Sequence, residues 1–149
     1  AARKGHRMRT LVEIEAILEQ FTPIGDAKAG ARELLSLAEE ILAHWVLGRG
    51  AEPTMEEREG FRLLGLHRQG AQDLPSFNAC RETCREIAYH FNLLQMPATP
   101  SEIDQRQRMM AMLVHHIALF VTGKMQQAQL GEFCCASKPL RLESATAQP

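Results

Sequence analysis

"TPSEIDQRQRMMAMLVHHIALFV", Thr99 to Val121, carries a helix start and a helix period in one stretch. Thr99 fits the cap position, Pro100 the first helical position and Glu102 the third. A hydroxyl at the cap satisfies an orphan amide of the first turn, and the carboxylate reaches back to the cap amide. Proline loses no hydrogen bond so early in a helix. Beyond this start, Ile103, Met110, Leu113, Val114, Ile117 and Val121 recur on one face. The apolar run Met109–Val121 contains His115 and His116 and is too short to cross a bilayer. The spacing therefore predicts a deeply buried helix that reaches Gly123 and extends towards Leu130.

The same signals recur upstream. Thr10 and Glu13 form a capping box ahead of Ile14, Ile17, Leu18 and Phe21, and Pro23 and Gly25 end that element. Asp26 is placed to cap a long second helix to about Leu47, with Leu34, Leu37, Ala38, Ile41, Leu42 and Trp45 on its apolar face. Gly48 to Pro53 stops it. Thr54 and Glu57 predict the start of a third helix bearing Phe61 and Leu64. Gly60 and Gly65 inside it each cost about 1 kcal/mol of helix preference, so they break the element or allow a close crossing. Pro75 and Ser76 introduce a fourth helix, which runs to about Leu94.

The expected fold is all-α, a compact bundle of about five helices, two of them long. Residues 10–130 form the bundle domain, residues 1–9 a basic head expected to be disordered, and residues 131–149 a largely flexible extension. A length of 149 residues suits one domain with its own core. At 45% hydrophobic and 23% charged residues the chain has the profile of a globular protein. Its formal net charge of -1 argues against a general affinity for nucleic acid or anionic lipid. Four basic residues (Arg3, Lys4, Arg7 and Arg9) without an acidic one make the head the exception.

The most site-like segment is "NACRETCREIAYHF", Asn78 to Phe91. On a helical wheel Cys84 lies about 40° from Cys80, inside an apolar stripe shared with Phe77, Ile87, Phe91 and Leu94. Free cysteine packs as a small hydrophobe, so core packing is the first expectation for both. His90 lies about 120° from Cys84, too far round for one helix to aim all three at one ion. A metal or haem site using Cys80, Cys84, His90, His115 and His116 is the alternative, as is a redox pair; no cofactor is otherwise expected. Cys134 and Cys135 are the remaining cysteines. A helical pair and an adjacent pair do not resemble a disulfide scaffold, and no signal peptide is visible, so a reduced, cytoplasmic protein is expected.

On the fifth helix, Met112, His115, His116 and Leu119 make the side opposite the main stripe apolar as well. A helix apolar all round is central in its bundle or shared with another subunit. These four residues are the expected partner contact. The pairs Glu40/His44 and Glu86/His90 lack the Glu-x-x-His spacing of di-iron bundles and read as ordinary exposed i,i+4 partners. No phosphate-binding glycine loop, HExxH or GxSxG motif occurs. The leading expectation is a non-enzymatic regulator or adaptor that acts through protein–protein contact as a homodimer. A metal, haem or small-ligand sensor is the second. A DNA-binding regulator, with Arg81 and Arg85 on the second helix of a helix-turn-helix, is the third.

Overall fold

The computed structural model describes residues 7–130. Among these it contains α1 (Leu11–Glu19), α2 (Ala27–Gly48), α3 (Arg62–Gly70), α4 (Arg81–Leu93) and α5 (Pro100–Ala128). A 3-10 helix, Pro75–Cys80, leads directly into α4. No strand occurs among the described residues; one isolated bridge joins Arg58 and Phe61. The fold is all-α, as the patterning predicts. The extension 131–149, with Cys134 and Cys135, and residues 1–6 of the head lie outside the described residues.

Local capping sets three of the helix starts. Thr10 and Glu13 form the expected box at α1, and Thr99 and Glu102 form it at α5. Asp26 accepts from the Ala29 amide at 3.0 Å to open α2. The two long helices, α2 and α5, pack most extensively on each other, and α5 also lies against α4 and α1. Leu34, Leu37, Ile41 and Leu42 of α2 meet Met110, Val114, Ile117 and Val121 of α5 in the core, all fully buried. Gln107 is fully buried among them because its amide is matched twice. It donates to the Ile24 carbonyl at 2.7 Å and accepts from the Ile24 amide at 3.1 Å. This clamp fixes the α1–α2 loop onto α5.

The third helix departs from expectation: it begins at Arg62, not after Thr54. The Thr54 hydroxyl accepts from the Glu56 amide at 3.0 Å, so it closes a local turn instead of capping a helix. Glu59 and Gly60 follow at φ 54° and 87°, both left-handed, and Arg58 and Phe61 exchange two backbone hydrogen bonds of 3.0 Å. That is the φ pattern of a type I′ turn, which no helix can pass through. Residues 51–61 thus form a strap laid across α3. Gln69 holds it by accepting from the Thr54 amide and donating to the Glu52 carbonyl, both at 2.8 Å, and Arg62 Nε donates to the Thr54 carbonyl at 2.8 Å. Gly65 is the residue over which the strap crosses; a Cβ there would collide with the Glu56 carbonyl oxygen.

The head is anchored at its described end. Arg9 donates to both oxygens of Glu40, at 3.1 and 2.7 Å, and to Glu33 at 2.7 Å. His44 Nε2 lies 2.6 Å from the Arg9 carbonyl oxygen. Glu40 and His44, expected to be exposed, are partly buried, and both hold Arg9.

Candidate functional site

The strap, α3, the 3-10 helix and the start of α4 enclose a groove of about 600 Å³. Pockets for small molecules run from about 300 to 1,000 Å³. Arg58 comes from the strap, Arg68 from α3, and Arg81 and Arg85 from α4. Glu56 and Glu59 are the carboxylates of the lining. Arg85 is taken by Glu59, at 3.1 and 3.5 Å. Arg58, Arg68 and Arg81 are exposed and have no ion-pair partner among the described residues. The groove therefore holds a surplus of guanidinium groups, the side chain best shaped for two-pronged binding of phosphate or carboxylate.

His67 lies where this groove meets the core. Trp45 of α2 donates from Nε1 to the Gly70 carbonyl at 2.9 Å and stacks on Phe77 at 4.9 Å between ring centroids. The His67 ring lies against Phe77 at 5.6 Å, and its Nε2 donates to the Phe77 carbonyl at 3.2 Å. The ring is buried yet contributes to the groove wall.

Behind His67 sit Cys80 and Cys84, both free and buried, with Ile87 and Leu94 beside them in the core. Their burial agrees with the expected packing role. Cys80 closes the 3-10 helix, where residues three apart eclipse, so it falls under Phe77, and its thiol lies 3.5 Å from the Phe77 carbonyl. Cys84 and, less strongly, His67 lower the Cys80 pKa against the effect of burial. Cys80 in turn pushes the Cys84 thiol well up, and burial adds to the rise.

The remaining candidates lie elsewhere. His90 Nδ1 is 2.9 Å from the Glu86 carbonyl of its own helix, and its ring meets Tyr89 edge-on. His115 and His116 line a second, apolar groove of about 390 Å³ with Met112, Leu113, Leu119 and Thr83. Among the described residues no three or more His, Cys, Asp or Glu side chains converge as metal ligands. The structure thus brings Cys80 and Cys84 together, and Met112, His115, His116 and Leu119 together, but does not join the two sets.

In the segment expected to form a helix-turn-helix, a turn and the 3-10 helix separate α3 from α4, and Arg81 and Arg85 line the groove. His67, Arg58 and Arg68 had no motif to mark them. The one available signal was the pairing of Arg81 with Arg85 at i,i+4 on the polar side of α4. Compared with known protein families, curated proteins and solved structures, the chain gives no match.

Proposed function

We propose that this protein is a ligand-binding regulatory module whose groove takes a small molecule carrying two or more phosphate or carboxylate groups. One observation carries the reading: Arg58, Arg68 and Arg81, unpaired among the described residues, surround a concavity of about 600 Å³ in a chain of net charge -1. Arg58, Arg68 and Arg81 share this concave surface with Glu56 and Glu59 but pair with neither, so their guanidinium groups repel one another, and a bound polyanion relieves that repulsion. The concavity favours a small anion over a duplex. The free thiols Cys80 and Cys84 fit a reducing, cytoplasmic setting, and no helix among the described residues is long and apolar enough to cross a membrane.

Calorimetric titration with pyrophosphate, a nucleoside triphosphate and citrate tests this. Saturable, salt-sensitive binding of at least one is expected. Replacing Arg58, Arg68 and Arg81 by alanine should weaken it about tenfold or more for each charge-assisted bond lost. Absence of binding at millimolar anion, or a triple variant that binds as wild type, would refute the proposal. Binding of duplex DNA in preference to the small anions would transfer the groove to a nucleic-acid role.

A second reading, contact with another copy of this chain through α5, is favoured by the spacing of its outward residues. Met109, Met112, His116, Leu119 and Gly123 follow one another at alternating intervals of three and four. Met109, Met112 and Leu119 are 40%, 57% and 56% exposed. That interval is the seam of a two-helix contact.

A further inference from the structure

Resting on the anion-binding reading of the groove, we infer that Arg85 is its fourth anion-binding arginine and that Glu59 occupies Arg85 as a built-in competitor, which an anionic group of the ligand displaces. Arg81 and Arg85 are four apart on α4, so their side chains leave the same face with Cβ atoms about 5–6 Å apart. Both line the concavity, together with Arg58 of the strap and Arg68 of α3. Arg85 differs from the other three in being engaged. It donates from both terminal nitrogens to the two Glu59 oxygens, at 3.1 and 3.5 Å. A guanidinium that grips a carboxylate with two prongs makes the contact it would make with a carboxylate or phosphate ligand. Glu59 thus presents to Arg85 the group that a ligand would present.

The turn that carries Glu59 does not call for glutamate. Glu59 is the first central residue of the type I′ turn at the tip of the strap, with φ 54°, and Gly60 follows at 87°. Asparagine, aspartate and glycine fill that position at least cost. What glutamate adds is reach: its carboxylate crosses from the strap to α4, 26 residues further along the chain. A residue that departs from the rule of its own turn is explained by what it touches.

The pair is also weak enough to yield. The Arg85 and Glu59 side chains are 43% and 61% exposed, and ion pairs so open to water favour the closed state by about fivefold at most. A phosphate carries more charge than the carboxylate it replaces and can touch Arg81 at the same time, so exchange favours the ligand. The turn does not depend on the pair, because two backbone hydrogen bonds between Arg58 and Phe61 close it. A strut between strap and α4 would make the same contact, but the two roles predict opposite signs. Removing a strut loosens the groove wall and weakens binding. Removing a competitor frees Arg85 and tightens binding.

The test is calorimetric titration of the full chain with pyrophosphate at fixed ionic strength. Glu59→Gln should tighten binding about two- to fivefold, the inverse of the fraction of chains whose Arg85 is free. Glu59→Asn, which suits the turn, should do the same. Arg85→Ala in the Glu59→Gln background should weaken binding about tenfold or more, because a charge-assisted contact is lost. Most of the Glu59→Gln gain should disappear in the Arg85→Ala background, where nothing is left to compete for. A gain of equal size in both backgrounds would mean that Glu59 acts only through its charge, and would overturn the inference. Weaker binding on loss of Glu59 would overturn it in favour of a strut, and an Arg85→Ala change without effect would overturn it as well. In each of these three outcomes pyrophosphate still binds, so the anion-binding reading survives. Pyrophosphate that binds neither wild type nor Glu59→Gln would remove that reading and this inference together.

Discussion

Phe77 is fully buried, stacked on Trp45 at 4.9 Å, beside His67 at 5.6 Å and tilted against Phe120 at 5.4 Å. Phe91 is only partly buried, and its ring meets Phe61 edge-on at 5.5 Å. A helical wheel ranks the two the other way, with Phe91 in the middle of the Cys80–Cys84 stripe and Phe77 at its margin. The wheel assumes about 100° per residue, whereas the 3-10 turn through Phe77 advances about 120° and aligns it with Cys80. Phe77→Ala should therefore cost about 3–5 kcal/mol, because it opens a cavity that four elements line. Phe91→Ala should cost about half as much, since part of its ring is already in water. Urea midpoints of the two variants, at equal slopes, read the difference directly. Equal losses would mean that the 3-10 geometry at Phe77 has been given too much weight.

At the scale of the element, the clearest mismatch between sequence and structure is the segment from Thr54 to Phe61. Thr54 and Glu57 satisfy the pattern of a capping box, as Thr10/Glu13 and Thr99/Glu102 do, yet only the latter two pairs start helices. The pattern is local, and the outcome is decided by what competes with it. Here Gln69 and Arg62 take the backbone groups of the strap, and Glu59 and Gly60 adopt positive φ before an apolar face can build up. Gly65 was legible as a residue that either breaks a helix or admits a close neighbour; the neighbour is the strap, not another helix. Gly65→Ala gains about 1 kcal/mol of helix preference and loses more, because its Cβ meets backbone at Glu56 that cannot move without lifting the strap. Net destabilisation is expected, with faster proteolysis between residues 51 and 61 and weaker anion binding, since the strap is one wall of the groove. A variant as stable as wild type with an intact groove would show that the strap tolerates displacement.

For the molecule as a whole, the helical bundle was readable because caps, stops and periods are each written within a few residues. The arginine groove was not, because it draws on residues from Thr54 to Arg85 that meet only after the strap folds back. The anchoring of Arg9 was hidden for the same reason: its carboxylate partners lie 24 and 31 residues away. Assembly is the remaining question at this scale, and Gly123 offers a way to test it. A glycine in mid-helix costs about 1 kcal/mol, and the position faces open space in which a Cβ would touch nothing within 4 Å. Among the described residues nothing requires glycine there. A second α5 crossing the seam of Met112, His116 and Leu119 would require it, since two backbones approach most closely at a residue without a side chain. Gly123→Ala should accordingly raise the stability of the isolated chain by about 1 kcal/mol and at the same time weaken dimerisation. Leu119→Glu should leave folding intact, because the side chain is 56% exposed, and abolish the dimer by setting like charges across the seam. Sedimentation velocity over the micromolar range, paired with thermal melts, separates the two effects. A wild-type chain that stays monomeric throughout, or a Gly123→Ala chain that dimerises as tightly as wild type, would remove α5 as the contact between copies.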